Sequence, residues 1–296
     1  MRIRDHEPMN IEVITGPTAS GKTAHALERV GVDASIEIVN ADASLIYRGF
    51  DIGTAKPSTD IRQRVVHHLI DILEPNEIFS AADYSRIARA KIIELIDSGK
   101  TPIVVGGTGF YIDALFNGIA ELEADPMLLQ SARVRVSEEM KSIGFDEMLE
   151  KLKNIDEELY VQIDRERNPR RLERAWEFYY ATGTPLGIAR KKKSEPFRFL
   201  PEYKVLTIPK EELWIRIENR VDSMIENGWP KEVESLLSSG ITMDMPAMKA
   251  IGYREMGAVI SGERKMGEAR SEIIFRTRQY AKRQITWMKK YRADAI

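Results

Sequence analysis

Residues 16–23 read Gly16-Pro17-Thr18-Ala19-Ser20-Gly21-Lys22-Thr23, an unbroken GxxxxGK[ST] pattern. Gly16 and Gly21 let the backbone close around an anion. Successive amide N–H groups then converge on it, and the N-terminus of the following helix adds its positive end. Lys22 supplies a charge, and the hydroxyl of Thr23 is suited to Mg²⁺. The chemistry implied is polyphosphate binding, by a nucleotide (the usual, ATP-binding use of the loop) or by some other diphosphate. A second candidate is Asp42, in Asn40-Ala41-Asp42-Ala43-Ser44-Leu45. A carboxylate across a site from a bound polyphosphate could act as general base toward an incoming nucleophile; it could equally be a core or capping group.

The elements that must hold these residues are those of a P-loop α/β fold, a parallel sheet with flanking helices. Strand signals at 11–15, 36–40, 66–72 and 102–105 alternate with helical ones. The last run stops at Gly106-Gly107-Thr108-Gly109. Such alternation implies parallel strands with crossover helices, and ligands then sit beyond the carboxyl ends of the strands. The loop at 16–23, the segment after Asn40 and the Gly-Gly-Thr-Gly turn all fall at that edge. Ser80 and Asp83 form a capping-box pattern at the start of a helix that Gly99 ends. From 120 to 198 strand signals vanish and charge is dense, which predicts a helical insertion. Residues 202–208 return to strand character, with helices expected over 210–227, 230–239 and 265–291. The expected domains are a first part of the core (1–119), the insertion (120–198) and a return to the core with basic C-terminal helices (199–296). The Arg190-Lys191-Lys192-Lys193 run reads as a mobile connection.

The chain has 296 residues, 43% hydrophobic and 30% charged, with no cysteine. Disulfides, zinc ribbons and thiol nucleophiles are therefore excluded. The first eight residues show no signal-peptide pattern, and no apolar run is long enough to span a bilayer. A cytoplasmic, monomeric protein is expected. His67 and His68 read as packing or capping groups, because no third ligand stands at metal-binding spacing.

The net charge of −2 hides an asymmetry. Between Ile273 and Tyr291 there is no acidic residue, but six basic ones: Arg276, Arg278, Lys282, Arg283, Lys289 and Lys290. Arg170, Arg171 and Arg174 form a second cluster. Basic segments with Tyr280 and Trp287 interleaved suit a nucleic-acid backbone, although each could also be a solvated helix face.

A small P-loop kinase would need an acidic residue ending an apolar strand to hold Mg²⁺. The 102–105 strand ends in Gly106-Gly107-Thr108 instead, and Asp71 ends a weaker run. A different family accounts for more of the chain. The P-loop octet, Asp51-Ile52-Gly53-Thr54-Ala55-Lys56-Pro57, His67-His68-Leu69-Ile70-Asp71 and Phe79-Ser80-Ala81-Ala82-Asp83-Tyr84 match it in order. So do Gly106-Gly107-Thr108-Gly109-Phe110-Tyr111, Asn168-Pro169-Arg170-Arg171-Leu172, Arg216-Ile217-Glu218-Asn219-Arg220, Ala250-Ile251-Gly252-Tyr253-Arg254 and Lys282-Arg283-Gln284-Ile285-Thr286-Trp287. Nearly end to end, the chain resembles the bacterial tRNA dimethylallyltransferases.

The resemblance implies transfer of a dimethylallyl group from dimethylallyl diphosphate to N6 of the adenosine next to the tRNA anticodon (position 37), releasing diphosphate, with Mg²⁺ as cofactor. It implies Asp42, Thr108 and Arg220 as catalytic residues, with Asp42 the general base. Gly16, Pro17, Thr18, Ala19, Ser20, Gly21, Lys22, Thr23 and Arg216 would bind the diphosphate, and Thr23 the metal. The tRNA-binding segments would be Asp42, Ala43, Ser44 and Leu45; Arg170, Arg171, Leu172, Glu173 and Arg174; Lys249, Ala250, Ile251, Gly252, Tyr253 and Arg254; and Lys282, Arg283, Gln284, Ile285, Thr286, Trp287, Met288 and Lys289. Ala43 and Leu45 depart from the family pattern, in which Ser and Gln are common. The alternatives are an enzyme that prenylates free adenylate, a small P-loop kinase and a non-catalytic RNA-binding protein.

Overall fold

The computed structural model describes residues 10–120, 122, 124–192 and 194–294. Residues 1–9, on which the signal-peptide reading falls, and Lys193 lie outside them. The chain divides into two compact units, Met1–Asn117 with Pro196–Ile296, and Gly118–Glu195. The insertion thus begins two residues before the expected boundary and ends three before it.

The first unit is built on a parallel sheet of β1 (Asn10–Thr15), β2 (Ile36–Asn40), β3 (His67–His68), β4 (Thr101–Gly106) and β5 (Leu200–Val205), in the order β3-β2-β4-β1-β5. Ile11, Val13, Ile14, Ile38, Val39, Ile103 and Val104 are all buried, as expected for strands covered on both faces. The crossovers use α1 (Lys22–Val32), α2 (Thr59–Arg64), α3 (Ala81–Asp97) and α4 (Gly109–Asn117). Ser80 caps α3 as its pattern predicts: its Oγ accepts from Asp83 N, and the Asp83 carboxylate accepts from Ser80 N, both at 3.1 Å.

The third strand is much shorter than expected. Leu69 and Asp71 have φ of 62° and 55°, which takes the chain out of extended geometry after two residues. Asp71 is held there by Lys56 and Arg62, at 2.5 and 2.6 Å. It is a structural anchor, not a Mg²⁺ ligand at a strand end. The fifth strand starts earlier than expected, because all of its residues pair with β1, from Asn10 opposite Leu200 to Thr15 opposite Val205.

Among the described residues the elements of the second unit are helices: α5 (Pro126–Ser142), α6 (Gly144–Lys153), α7 (Glu157–Glu166), α8 (Pro169–Thr182) and α9 (Leu186–Arg190). Asp125, Asp156 and Asn168 cap three of these with side-chain oxygens. Leu149, Leu159, Ile163, Leu172, Trp176 and Phe178 share its core. The return to the first unit adds α10 (Lys210–Glu226), α11 (Trp229–Ser238), α12 (Tyr253–Ile260) and α13 (Met266–Met288). Leu213, Ile217, Val221, Trp229, Tyr253 and Ile273 from these helices form a second apolar cluster with Phe50.

Candidate active site

Three loops leave the carboxyl ends of β1, β2 and β4, and backbone bonds stitch the last two together. Ala41 N donates to Val105 O at 2.8 Å, and Thr108 N donates to Ala41 O at 3.1 Å. The side chain of Thr108 closes the seam by accepting from Ala43 N at 3.0 Å. Gly106 has to be glycine here, since a Cβ would run into the Ala41 carbonyl. Position 43 therefore works through its backbone, which explains how Ala stands there.

The P-loop crosses from β1 to α1 with Ala19 and Gly21 at φ of 62° and 90°. Ser20 N donates to Pro17 O at 3.2 Å. Lys22 Nζ folds back onto the loop and donates to the carbonyls of Gly16 (3.0 Å) and Pro17 (2.8 Å). Burial lowers its pKa to about 8; nearby Arg220 pushes the same way, and Asp42 opposes both. Burial also lowers the pKa of the Arg220 guanidinium, again against the pull of Asp42. Two desolvated cations thus face one carboxylate, and an incoming polyanion would relieve both.

Asp42 holds one carboxylate oxygen fixed. Its Oδ1 accepts from Ser44 N at 3.0 Å and Ser44 Oγ at 2.7 Å. Among the described residues its Oδ2 has no hydrogen-bond partner. Asn40 locks the turn, accepting from Asp42 N at 2.9 Å and donating to Asp42 O at 3.0 Å.

Two adjoining cavities meet at this carboxylate. One, of about 520 Å³, is lined by the P-loop from Thr18 to Thr23 together with Arg216 and Arg220. The other, of about 490 Å³, has apolar walls that include Ile217, Val221, Met224, Trp229, Ala247 and Ile273. Thr18, Asp42, Thr54 and Arg220 line both. Arg216 is exposed and pairs with Glu212 at 2.7 Å, so it stands at the mouth with its charge partly used. Thr18, Ser20, Thr23, Asp42 and Thr54 bring side-chain oxygens to the polar cavity. Such a set fits a cation that takes most of its ligands from phosphate and water. Among the described residues no group of three or more His, Asp or Glu forms an all-protein metal cage.

The family model described as IPP transferase matches residues 45–291. The chain belongs to this family. Among its relatives is tRNA dimethylallyltransferase 2 of Geotalea uraniireducens, 42% identical over 96% of this chain and 90% of that one. The tRNA dimethylallyltransferase of Syntrophobacter fumaroxidans is 41% identical over 98% of this chain and 83% of its own length. The crystal structure of the full-length tRNA isopentenylpyrophosphate transferase of Bacillus halodurans is similar, with a TM-score of 0.64 and 33% identity. It covers 97% of this chain and 88% of the other.

In this IPP transferase most of the residues expected at an RNA surface fall into three groups, while Asp42 to Leu45, Glu173, Ala250, Ile251 and Ile285 are half-buried. Lys282, Arg283, Thr286, Trp287 and Lys289 are exposed on α13 and just beyond it, as are Lys249 and Arg254 near α12. None of Lys282, Arg283 and Lys289 has an ion-pair partner among the described residues. Arg170, Arg171 and Arg174 are all engaged by carboxylates: Arg170 with Glu173 (2.9 Å) and Glu177 (2.8 Å), Arg171 with Glu166, and Arg174 with Glu177 (3.5 Å). Leu172, Gly252, Tyr253, Gln284 and Met288 are buried. Tyr253 packs against Phe50 and Trp229 and donates to Glu232 at 2.8 Å. These side chains belong to the interior.

Sequence reading missed Glu232. Its carboxylate accepts from the backbone N–H groups of Asp51 (3.0 Å), Ile52 (2.7 Å) and Gly53 (3.3 Å), and so fixes the loop that delivers Thr54 to the cavities. Nothing in the α11 pattern separates it from a solvated helix residue; the partner lies far away in sequence.

Proposed function

We propose that this IPP transferase is a tRNA dimethylallyltransferase, moving a dimethylallyl group from its diphosphate to N6 of the adenosine next to the anticodon. The observation that carries this is the pair of adjoining cavities, a cationic one at the P-loop and one whose largely apolar walls also carry Lys249, Arg276 and Arg283, with Asp42 and Arg220 in the common wall. A donor with an anionic head and an apolar tail fits that division. In a kinase, the wall beyond the terminal phosphate would have to meet a polar acceptor.

In this reading the diphosphate lies on the P-loop amides with Lys22, Arg220 and Arg216 as its cations. N6 attacks the first allylic carbon, the carbon–oxygen bond to the diphosphate breaks, and the electron pair leaves on the bridging oxygen. Fixed cations and N–H donors there stabilise the developing charge. The amine proton passes to Asp42, whose Oδ2 is open while Oδ1 is held by Ser44. Thr108, tied to Ala43 next to Asp42, is the residue that the family resemblance assigns to the leaving oxygen. Mg²⁺ would be held by the Thr23 hydroxyl and the diphosphate itself, and it would neutralise leaving-group charge. The acceptor base must leave its stack to enter the apolar cavity. The unpaired cations of α13 suit its phosphates. Phe110 and Trp287, edge to face at 6.2 Å and both exposed, suit neighbouring bases.

The test is incubation with labelled dimethylallyl diphosphate and, separately, bulk tRNA or AMP, with labelled ATP as a control donor. Label should enter tRNA. Label in AMP alone would favour the free-nucleotide enzyme, and phosphoryl transfer from ATP would favour the kinase.

A further inference from the structure

Gln284 lies on α13 beside Lys282 and Arg283, yet it is 4% exposed. Its side-chain oxygen accepts from Thr18 N at 2.8 Å, and its amide nitrogen donates to Gly107 O at 2.9 Å. Only one orientation of the amide satisfies both a backbone donor and a backbone acceptor, so the network fixes it. Thr18 is the third residue of the P-loop, and Gly107 immediately precedes Thr108. One side chain therefore ties together the two loops that would hold the diphosphate and its leaving oxygen. The fit is tight. A Cβ on Gly107 would collide with the Gln284 amide nitrogen, and one on Gly109 would collide with the Trp287 ring three residues further along α13.

We propose that Gln284 is a positioning residue that sets the spacing between the P-loop and the Thr108 turn, and that it makes no RNA contact. The inference rests on the reading of the P-loop as the diphosphate site. Its physical basis is that both partners are backbone groups, one on each loop, beyond the point where Thr15 Oγ1 last ties β1 to Gly106 O at 2.9 Å. Small misplacements of reacting groups are costly in rate, by about 10²-fold for 1 Å. Glutamate at this position would keep the acceptor for Thr18 N–H but lose the donor. Methionine would fill the volume and lose both.

The experiment measures inorganic pyrophosphate affinity with Mg²⁺, kcat and KM for dimethylallyl diphosphate, and tRNA affinity at several salt concentrations. It is run on wild type, Gln284→Met, Gln284→Glu and Gly107→Ala, each checked by thermal unfolding. The expected result is pyrophosphate binding weaker by about 10-fold or more and kcat/KM lower by about 10–100-fold. The tRNA salt slope should be unchanged. Gly107→Ala should reproduce this from the other side of the contact, which keeps the test informative should a Gln284 variant not fold. A reduced salt slope with unchanged pyrophosphate affinity would make Gln284 an RNA contact and overturn the inference. Unchanged values throughout would make it mere filling and overturn it equally. Pyrophosphate binding requires nothing of the organic group, so a wild type that binds pyrophosphate but transfers no prenyl group would count against the proposed reaction alone.

Discussion

The sheet-edge cavities and the exposed basic surfaces contain the same kinds of residue, but their surroundings set them to different work. At the sheet edge Lys22 and Arg220 are desolvated and share the single carboxylate of Asp42, so each carries an electrostatic cost that this carboxylate offsets only in part and a bound anion would relieve further. Lys282 and Arg283 of α13 are in water, where individual contacts are weak and screened and act by releasing counterions, whereas Arg276 and Arg278 of the same helix are paired with Glu255 and Glu218. The surfaces also differ between themselves. Lys282, Arg283 and Lys289 stand unpaired, whereas Arg170, Arg171 and Arg174 are already matched by Glu166, Glu173 and Glu177. Counting basic residues along the chain treats both surfaces alike; the carboxylates in reach separate them.

The largest effect should come from the cavity. Asp42→Asn keeps an acceptor for Ser44 but removes the proton acceptor. Turnover should fall by about 10²–10⁴, with tRNA affinity unchanged, as measured by single-turnover kinetics and equilibrium binding. A loss of only a few-fold would remove Asp42 from the role of base.

Lys22 gives the next largest effect, through pH. Its folded pKa, about 8, lies below its unfolded value of 10.5. Between those values the unfolded chain binds more protons, so stability of the ligand-free protein should rise as pH increases through that window. Diphosphate favours the charged form and raises the pKa again. Binding should therefore take up protons above about pH 8 and weaken as pH rises, seen as buffer-dependent heats in calorimetry. Lys22→Met should abolish both effects.

On the surfaces the effects are smaller and depend on salt. Replacing Lys282, Arg283 and Lys289 with Gln should lower the slope of log affinity against log salt by roughly 0.7–0.9 for each phosphate no longer neutralised. Chemistry at saturating tRNA should be unchanged. The same replacement of Arg170, Arg171 and Arg174 should change the slope by less, since their charge is already matched. Glu173→Gln, which releases Arg170 from one partner, should strengthen tRNA binding slightly at low salt. Equal slopes for the two triple variants would erase the distinction between paired and unpaired surfaces.

Much of this arrangement is legible in the sequence wherever local rules decide it. The P-loop, the Ser80–Asp83 cap and the helical insertion follow from spacing and composition. Asp42 is found because it follows the second strand. What is not legible depends on partners far along the chain. The sequence from Val66 to Ile72 looks like a strand, but Lys56 and Arg62 capture Asp71 and turn it aside. Gln284 looks like part of a basic RNA-binding run because its neighbours are basic. A faint signal exists, since it falls on the same stripe of α13 as the buried Ala281 and Met288, a stripe that must face inward. The short helix at Tyr253–Ile260 goes unread; it begins at a left-handed glycine, Gly252 with φ of 98°, whose N–H donates to Glu255 at 3.0 Å.

The central claim is that the P-loop holds an allylic diphosphate. Thermal unfolding tests it most directly, in the presence of Mg²⁺ with either dimethylallyl diphosphate or ATP, for wild type and Lys22→Ala. A ligand that binds only the folded state raises the unfolding temperature by mass action. The account predicts protection by dimethylallyl diphosphate, little by ATP, and loss of most of that protection in Lys22→Ala. Strong protection by ATP with none from the allylic diphosphate would contradict it.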